Sequence, residues 1–410
     1  MTPSIPLASA KKKIEEAVSN FWNRKGQVRQ KASPPIQPQR ASAERISRRF
    51  AVGLDLGATS LKWVQLGLVD GKIQVVDLGQ ESVTHLAGLP EPRKQEQLGE
   101  VLRQVVKKHR LSGRASLSLP MEDASLRLLK MPALPEEELE QAIRWQIEQV
   151  LPAGVSYEEI TVDYATLQQE ADNQWESRVL VATASRRRVM SLVNQLSHAG
   201  LQPLAIEPAP FAMAACVERQ HPFALNETVL LVHLGASASA LAVVMKGQVI
   251  FGQPIPVSVV TLTKAVAEQL RAPADQAELL KRTHGLLASA ELATAPVGVS
   301  DEKVSVAQAL ASPLENLVLD LLQGFKNFSQ QVTQSHIQKF DRVYLSGGPA
   351  QLPGLPVWLT ARLGVPVETV DPFTAIPMCE AAAQQKPRNA AASNFAVAMG
   401  LALWEVPQKP

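Results

Sequence analysis

The chain carries one hairpin motif twice, and that repeat constrains its fold more than any other feature. The first copy reads Ala51-Val52-Gly53-Leu54-Asp55-Leu56-Gly57-Ala58-Thr59-Ser60-Leu61-Lys62. The second reads Leu230-Leu231-Val232-His233-Leu234-Gly235-Ala236-Ser237-Ala238-Ser239. Each is a short apolar strand, a small-residue turn opened by glycine, and a second strand. Aligning Gly57 on Gly235 sets Thr59 on Ser237 and Asp55 on His233. A duplicated α/β fold of two lobes around a cleft is the simplest architecture. The length of 410 residues agrees, because it exceeds what a single core usually serves.

The two turns also suggest chemistry. Backbone N–H groups at Gly57, Ala58, Thr59 and Ser60, and at Gly235, Ala236 and Ser237, can approach a polyphosphate without steric cost and form an anion nest. Lys62 adds a positive charge just past the first turn, and Asp55 ends its strand where a carboxylate can hold the waters of Mg²⁺. Taken alone, either turn is an ordinary hairpin. Four further segments add to the case. Ile206-Glu207-Pro208 would cross between lobes with Glu207 as a second acid. Glu278-Leu279-Leu280-Lys281-Arg282 would bring polar and cationic groups to a ribose or adenine. Val343-Tyr344-Leu345-Ser346-Gly347-Gly348-Pro349 is a strand ending in a double-glycine turn suited to close approach of a nucleotide. Ala396–Leu403 is a small-residue helix able to pack against the first crossing helix.

Bulk properties exclude several classes. The net charge of +2 hides a basic extension: residues 1–49 carry eleven Lys and Arg against three Glu, so the remainder is acidic. Residues 7–24 have Ile14, Val18, Phe21 and Trp22 at helical spacing with a basic flank, as a surface helix on anionic lipid or an acidic partner would. Residues 26–49 read as a Pro-, Gln- and Arg-containing linker. Aromatics at 5% argue against a base- or sugar-stacking surface, and no nucleic-acid partner is expected. Cys216 and Cys379 are isolated, which suits a reducing cytosol. No apolar stretch reads as a signal peptide or membrane span.

Strands are expected at about 50–55, 61–67, 73–78, 115–119, 126–130, 178–183 and 342–345, with turns at Asp70-Gly71 and Lys246-Gly247. Helices are expected at 94–110, 136–150, after Ser185 as N-cap, at 257–271, 274–284 and 391–403. A long helix is expected to open with Ser312 as N-cap and Pro313 at its first position.

The motifs, in this order, resemble the actin-like ATPase superfamily: phosphate 1 at 55–62, connect 1 at 207–214, phosphate 2 at 230–239, adenosine at 343–349 and connect 2 at 396–403. Glu278-x-x-Lys281 is similar to the ribose- and adenine-contacting helix of the FtsA and MreB branch. Met131-Pro132-x-x-Pro135-Glu136-Glu137-Glu138-Leu139, Trp145, and the Val179–Ala184 strand resemble the PilM family of type IV pilus assembly proteins. That resemblance implies ATP with Mg²⁺ in the cleft and an FtsA-like 1C subdomain at about 116–200. It implies a first lobe at 50–225, a second at 226–404 and a tail at 405–410. It also implies a groove for the N-terminal tail of a PilN-like inner-membrane protein, links to pilus motor ATPases, self-association, and a cytoplasmic place at the inner membrane in twitching motility. His233 stands where the family usually has Asp, so weak or absent ATPase activity is expected. A division filament like FtsA and a sugar or acid kinase are the alternatives, though no sugar pocket or catalytic base is visible.

Overall fold

The computed structural model describes residues 46–167, 176–286, 301–332, 339–385 and 389–406. The expected helix over 7–24 lies outside them.

Three strands, β1 (Ile46–Leu56), β2 (Ser60–Val69) and β3 (Lys72–Ser82), form an antiparallel meander. β4 (Arg114–Leu119) and β8 (Gln202–Pro208) extend it in parallel, in the order β3-β2-β1-β4-β8. A second sheet repeats this plan. β9 (Thr228–Leu234), β10 (Ser239–Met245) and β11 (Gln248–Ile255) form its meander, and β12 (Arg342–Gly347) and β13 (Val367–Thr369) its parallel pair. The order β11-β10-β9-β12-β13 matches the first, so the duplicated hairpin reports a duplicated sheet. Both meanders close through the same device. Asp70 and Gly71 have φ of 49° and 77°, and Lys246 and Gly247 have 53° and 72°, the two left-handed centres of a two-residue hairpin turn.

A third sheet of β5 (Ala124–Pro132), β6 (Ile160–Thr166) and β7 (Glu176–Ser185) is antiparallel, in the order β5-β7-β6. Leu139, Ile143 and Ile147 of the helix Glu136–Glu148 bury against its Met131, Ile160, Val179 and Val181. β6 was not expected from the sequence. Its signal is a period-two alternation in which Ile160, Val162 and Tyr164 face that small core. Thr161 and Asp163, on its other face, line the seam with the first lobe together with Leu119 and Ile206.

Helices pack on all three sheets. In chain order they are α1 (Glu91–His109), α2 (Glu136–Glu148), α3 (Arg186–His198), α4 (Ala209–Gln220), α5 (Val259–Leu270), α6 (Ala274–His284), α7 (Asp301–Val332), α8 (Leu355–Leu363), α9 (Glu380–Gln385) and α10 (Ala396–Ala402). The two lobes share one hydrophobic core that runs through α4 and α10. α10 is wholly buried and crosses both α4 and β1 at backbone contact. A Cβ on Gly400 would lie 1.7 Å from the Ala212 carbonyl oxygen, and one on Gly53 would lie 1.9 Å from that of Ala398. Only glycine permits these crossings.

Three expectations need correction. β1 begins at Ile46, inside the segment read as linker, because β2 runs on to Val69 and offers Ile46, Arg48 and Arg49 a pairing partner. Ser185 precedes α3, but its hydroxyl makes no cap bond. The long helix does not start at Ser312: α7 begins at Asp301 and carries Pro313 inside it. A mid-helix proline costs ~3 kcal/mol. The buried residues Val306, Ala307 and Leu310 continue the stripe of Leu314, Leu317 and Leu321 upstream. Each large apolar side chain so buried contributes ~1.5–3 kcal/mol, which outweighs that cost.

Candidate functional site

The two glycine-opened turns face one cavity of about 520 Å³, counting the part open to solvent. Asp55, Gly57 and Ala58 line it from the first lobe, and His233, Gly235, Ala236, Ser237 and Ser239 from the second. Both turns are braced from within. Gly57 N donates to Ser60 O at 3.0 Å, and Gly235 N donates to Ser239 Oγ at 3.1 Å. The second turn is also tied to α5, whose first amides at Val259 and Val260 donate to the carbonyls of Gly235 and Ala236.

Asp55 ends β1 as a buried carboxylate with a partner on each oxygen. Lys62, its cross-strand neighbour on β2, places Nζ 3.1 Å from Oδ2. Ser118, at the end of β4, donates its hydroxyl to Oδ1 at 2.9 Å and accepts Leu56 N at 3.1 Å. Burial pushes this carboxyl up, but the Lys62 ammonium, through its charge and its hydrogen bond, and the Ser118 hydroxyl outweigh it and hold the group below the usual carboxylate range.

The second lobe repeats the frame with a different charge. His233 ends β9, and Ser346 stands beside it on β12, with Nδ1 and Oγ 2.9 Å apart. The Ser346 hydroxyl also lies 3.0 Å from Met213 Sδ of α4. Burial pulls the imidazole below its ordinary value against the raising effect of Asp55, so His233 is neutral at physiological pH. Neither Ser118 nor the cavity wall at Pro120, Met121 and Glu122 was singled out from the sequence. The available signal was a lone polar residue, Ser118, between Leu117 and Leu119 at a strand's carboxyl end.

The remaining expected residues are not among those that line the cavity. Thr59 and Ser60 serve the turn through their carbonyls, which accept from Val83 N and Gly57 N. Glu207 stands in register with Ser118 on β8 and is buried. Gly347 has φ of 90° and packs on the Leu234 carbonyl; its own carbonyl accepts from Ser393 Oγ, and Gly348 and Pro349 follow it in a 3₁₀ turn. Glu278, Lys281 and Arg282 contact one another: Lys281 Nζ is buried and donates to Thr263 Oγ1 and Glu278, and Arg282 Nε donates to Glu278 Oε1 at 2.8 Å.

A family model described as type IV pilus assembly protein PilM matches residues 53–406. The chain belongs to the PilM family. Among solved structures, a PilM-PilN type IV pilus biogenesis complex matches at 25% identity with a TM-score of 0.71, over 88% of this chain and 100% of that one. More distant are the ethanolamine utilization protein EutJ of Carboxydothermus hydrogenoformans (15% identity, TM-score 0.48, over 86% of this chain and 89% of that one) and MreB5 of Spiroplasma citri bound to AMPPNP (13%, 0.47, 88% and 96%). This PilM-family chain repeats one five-stranded plan in its two large sheets, and the motif-bearing turns of both line the same cavity.

The superfamily resemblance implies Mg²⁺ beside Asp55, and the side chains fit it poorly. Both oxygens of Asp55 are engaged, one of them by a cation, and the facing residue is a neutral imidazole. No group of three or more His, Cys, Asp or Glu able to hold a metal occurs among the described residues. No described helix is long and apolar enough to cross a membrane.

Proposed function

We propose that this chain is an ATP-binding scaffold of type IV pilus assembly. It docks the N-terminal tail of a PilN-like inner-membrane protein and links it to the pilus motor ATPases. Its place would then be cytoplasmic and peripheral at the inner membrane, with the basic segment 1–49 as a further contact to lipid. The observation that carries this reading is the likeness, over 88% of this chain, to a PilM that was solved as a complex with PilN.

The small sheet β5-β7-β6 with α2 is the subdomain we assign to the tail. Its recesses suit an extended apolar peptide: β5 and β11 are both edge strands, and the groove between them is lined by Leu126, Leu128, Val150 and Phe251. ATP is assigned to the cleft between the hairpins, with the backbone of the two turns and Lys62 as phosphate contacts. Turnover would be slow or absent, because His233 supplies no anionic charge to order an attacking water. The reading is tested by co-purifying the full chain with N-terminal tail peptides of inner-membrane pilus proteins, with and without ATP. Specific retention of one peptide supports it. Retention of none, together with phosphorylation of a small molecule, replaces it with a kinase.

A further inference from the structure

The charge arrangement of the cleft bears on how nucleotide is held there, given the ATP-binding reading above. A bound polyphosphate needs positive charge close by. In a site that uses a divalent cation, one or two carboxylates supply oxygen ligands and the ion supplies the charge. Here the carboxylate best placed to do so, Asp55, is already neutralised by an ammonium that is part of the fold. Lys62 Nζ sits 3.1 Å from Asp55 Oδ2, and only 13% of its side chain is exposed. The pair is fixed by strand register, since Asp55 and Lys62 are cross-strand partners on β1 and β2. It is pinned on its other side by Ser118.

The facing jaw adds no second carboxylate. His233 occupies the place symmetric to Asp55, held by Ser346 as Asp55 is held by Ser118. The carboxylate of Glu122 is on the cavity wall, but it rises from the separate turn Met121–Asp123, whose Asp123 is tied to Arg188. Besides Glu122, a hydrated dication would therefore meet an Asp55 already paired with an ammonium and, facing it, a neutral ring in place of a second strand-end carboxylate.

We propose that this cleft binds ATP without a divalent cation, with the Lys62 ammonium as the countercharge to the phosphates. An ammonium has three donors; Lys62 holds Asp55 with one and turns the others to the phosphates, and the turns' backbone N–H groups complete the cradle.

The test is calorimetric titration of ATP into the full-chain protein, once with magnesium chloride and once with EDTA. The expected dissociation constants agree within about fivefold. Binding that needs magnesium, with a greater loss in EDTA, overturns the inference and leaves the ATP-binding reading standing. No binding in either buffer overturns both. Two variants sharpen the result. Lys62→Met should weaken ATP by more than about tenfold in both buffers; unchanged affinity removes the proposed countercharge. His233→Asp adds the missing carboxylate and should make binding magnesium-dependent. If it stays indifferent to magnesium, the facing residue does not set metal use and the argument fails.

Discussion

His233 Nδ1 and Ser346 Oγ meet at 2.9 Å, in the same strand-end frame where Asp55 and Ser118 meet at 2.9 Å in the other lobe. Each acceptor or ring sits at the end of a meander's first strand, and each serine ends the parallel neighbour. The duplication has been kept in geometry and altered in charge. One jaw presents a carboxylate compensated by Lys62, and the other a neutral imidazole.

Restoring the acid should therefore restore chemistry. His233→Asp is expected to raise ATP turnover by at least about tenfold, the low end of what a positioned base contributes being ~10²-fold. Phosphate release measured on both proteins checks this. Brisk turnover by the unmodified protein would remove the argument from His233.

Removing Lys62 should expose the cost of a buried carboxylate. Lys62→Met is expected to lose about 3 kcal/mol in urea unfolding near neutral pH. The sign with pH follows from Asp55. Its depressed value means the ion pair contributes stability above the ordinary carboxylate range and loses it as pH falls through that range. The gap between the two proteins should narrow as pH falls below about 4, the ordinary value of an Asp carboxyl. A gap that is constant with pH would assign Lys62 to packing alone.

Asp163 gives the opposite sign. Burial raises its carboxyl to about 8, against a single lowering bond from Tyr164 N, and its Oδ2 has no partner at the seam between the small sheet and the first lobe. A group raised in the folded state costs stability as pH climbs from its ordinary value of about 4 towards 8. Asp163→Asn should flatten that decline and be the more stable protein at about pH 8, by more than about 1 kcal/mol. Equal slopes in thermal unfolding across that range would contradict it.

Gly400→Ala should be severe for its size. The added methyl would meet the Ala212 carbonyl at the crossing of α10 and α4, a backbone contact that no side-chain rotation relieves. A loss of at least about 3 kcal/mol is expected. Chemical denaturation reads it, and an unchanged midpoint would show that the helices can separate freely.

Much of the fold was legible because its signals are local. The left-handed turns at Asp70-Gly71 and Lys246-Gly247, the α2 stripe of Leu139, Ile143 and Ile147, and the two glycine-opened hairpins all appear where residue type and spacing place them. The Asp55–Lys62 pair was also accessible, since the two residues are symmetric about the turn Gly57–Ser60, yet Lys62 was assigned to phosphate alone. β6 was missed because its alternation is short and only half-buried. The first turns of α7 were missed because Pro313 is a strong local stop, and the burial that overrides it comes from packing.

The sequence by itself determined two lobes, their sheets' hairpins and the composition of the turns, since glycine conformation and apolar periodicity act over a few residues. Tertiary structure alone decided that Ser118 and Ser346 brace Asp55 and His233, that Lys281 and Glu278 bind each other, and that both turns share one cavity. Those contacts join distant segments through parallel strand register and helix packing. Their energy comes from burial and pairing that exist only once the lobes have closed on a common core.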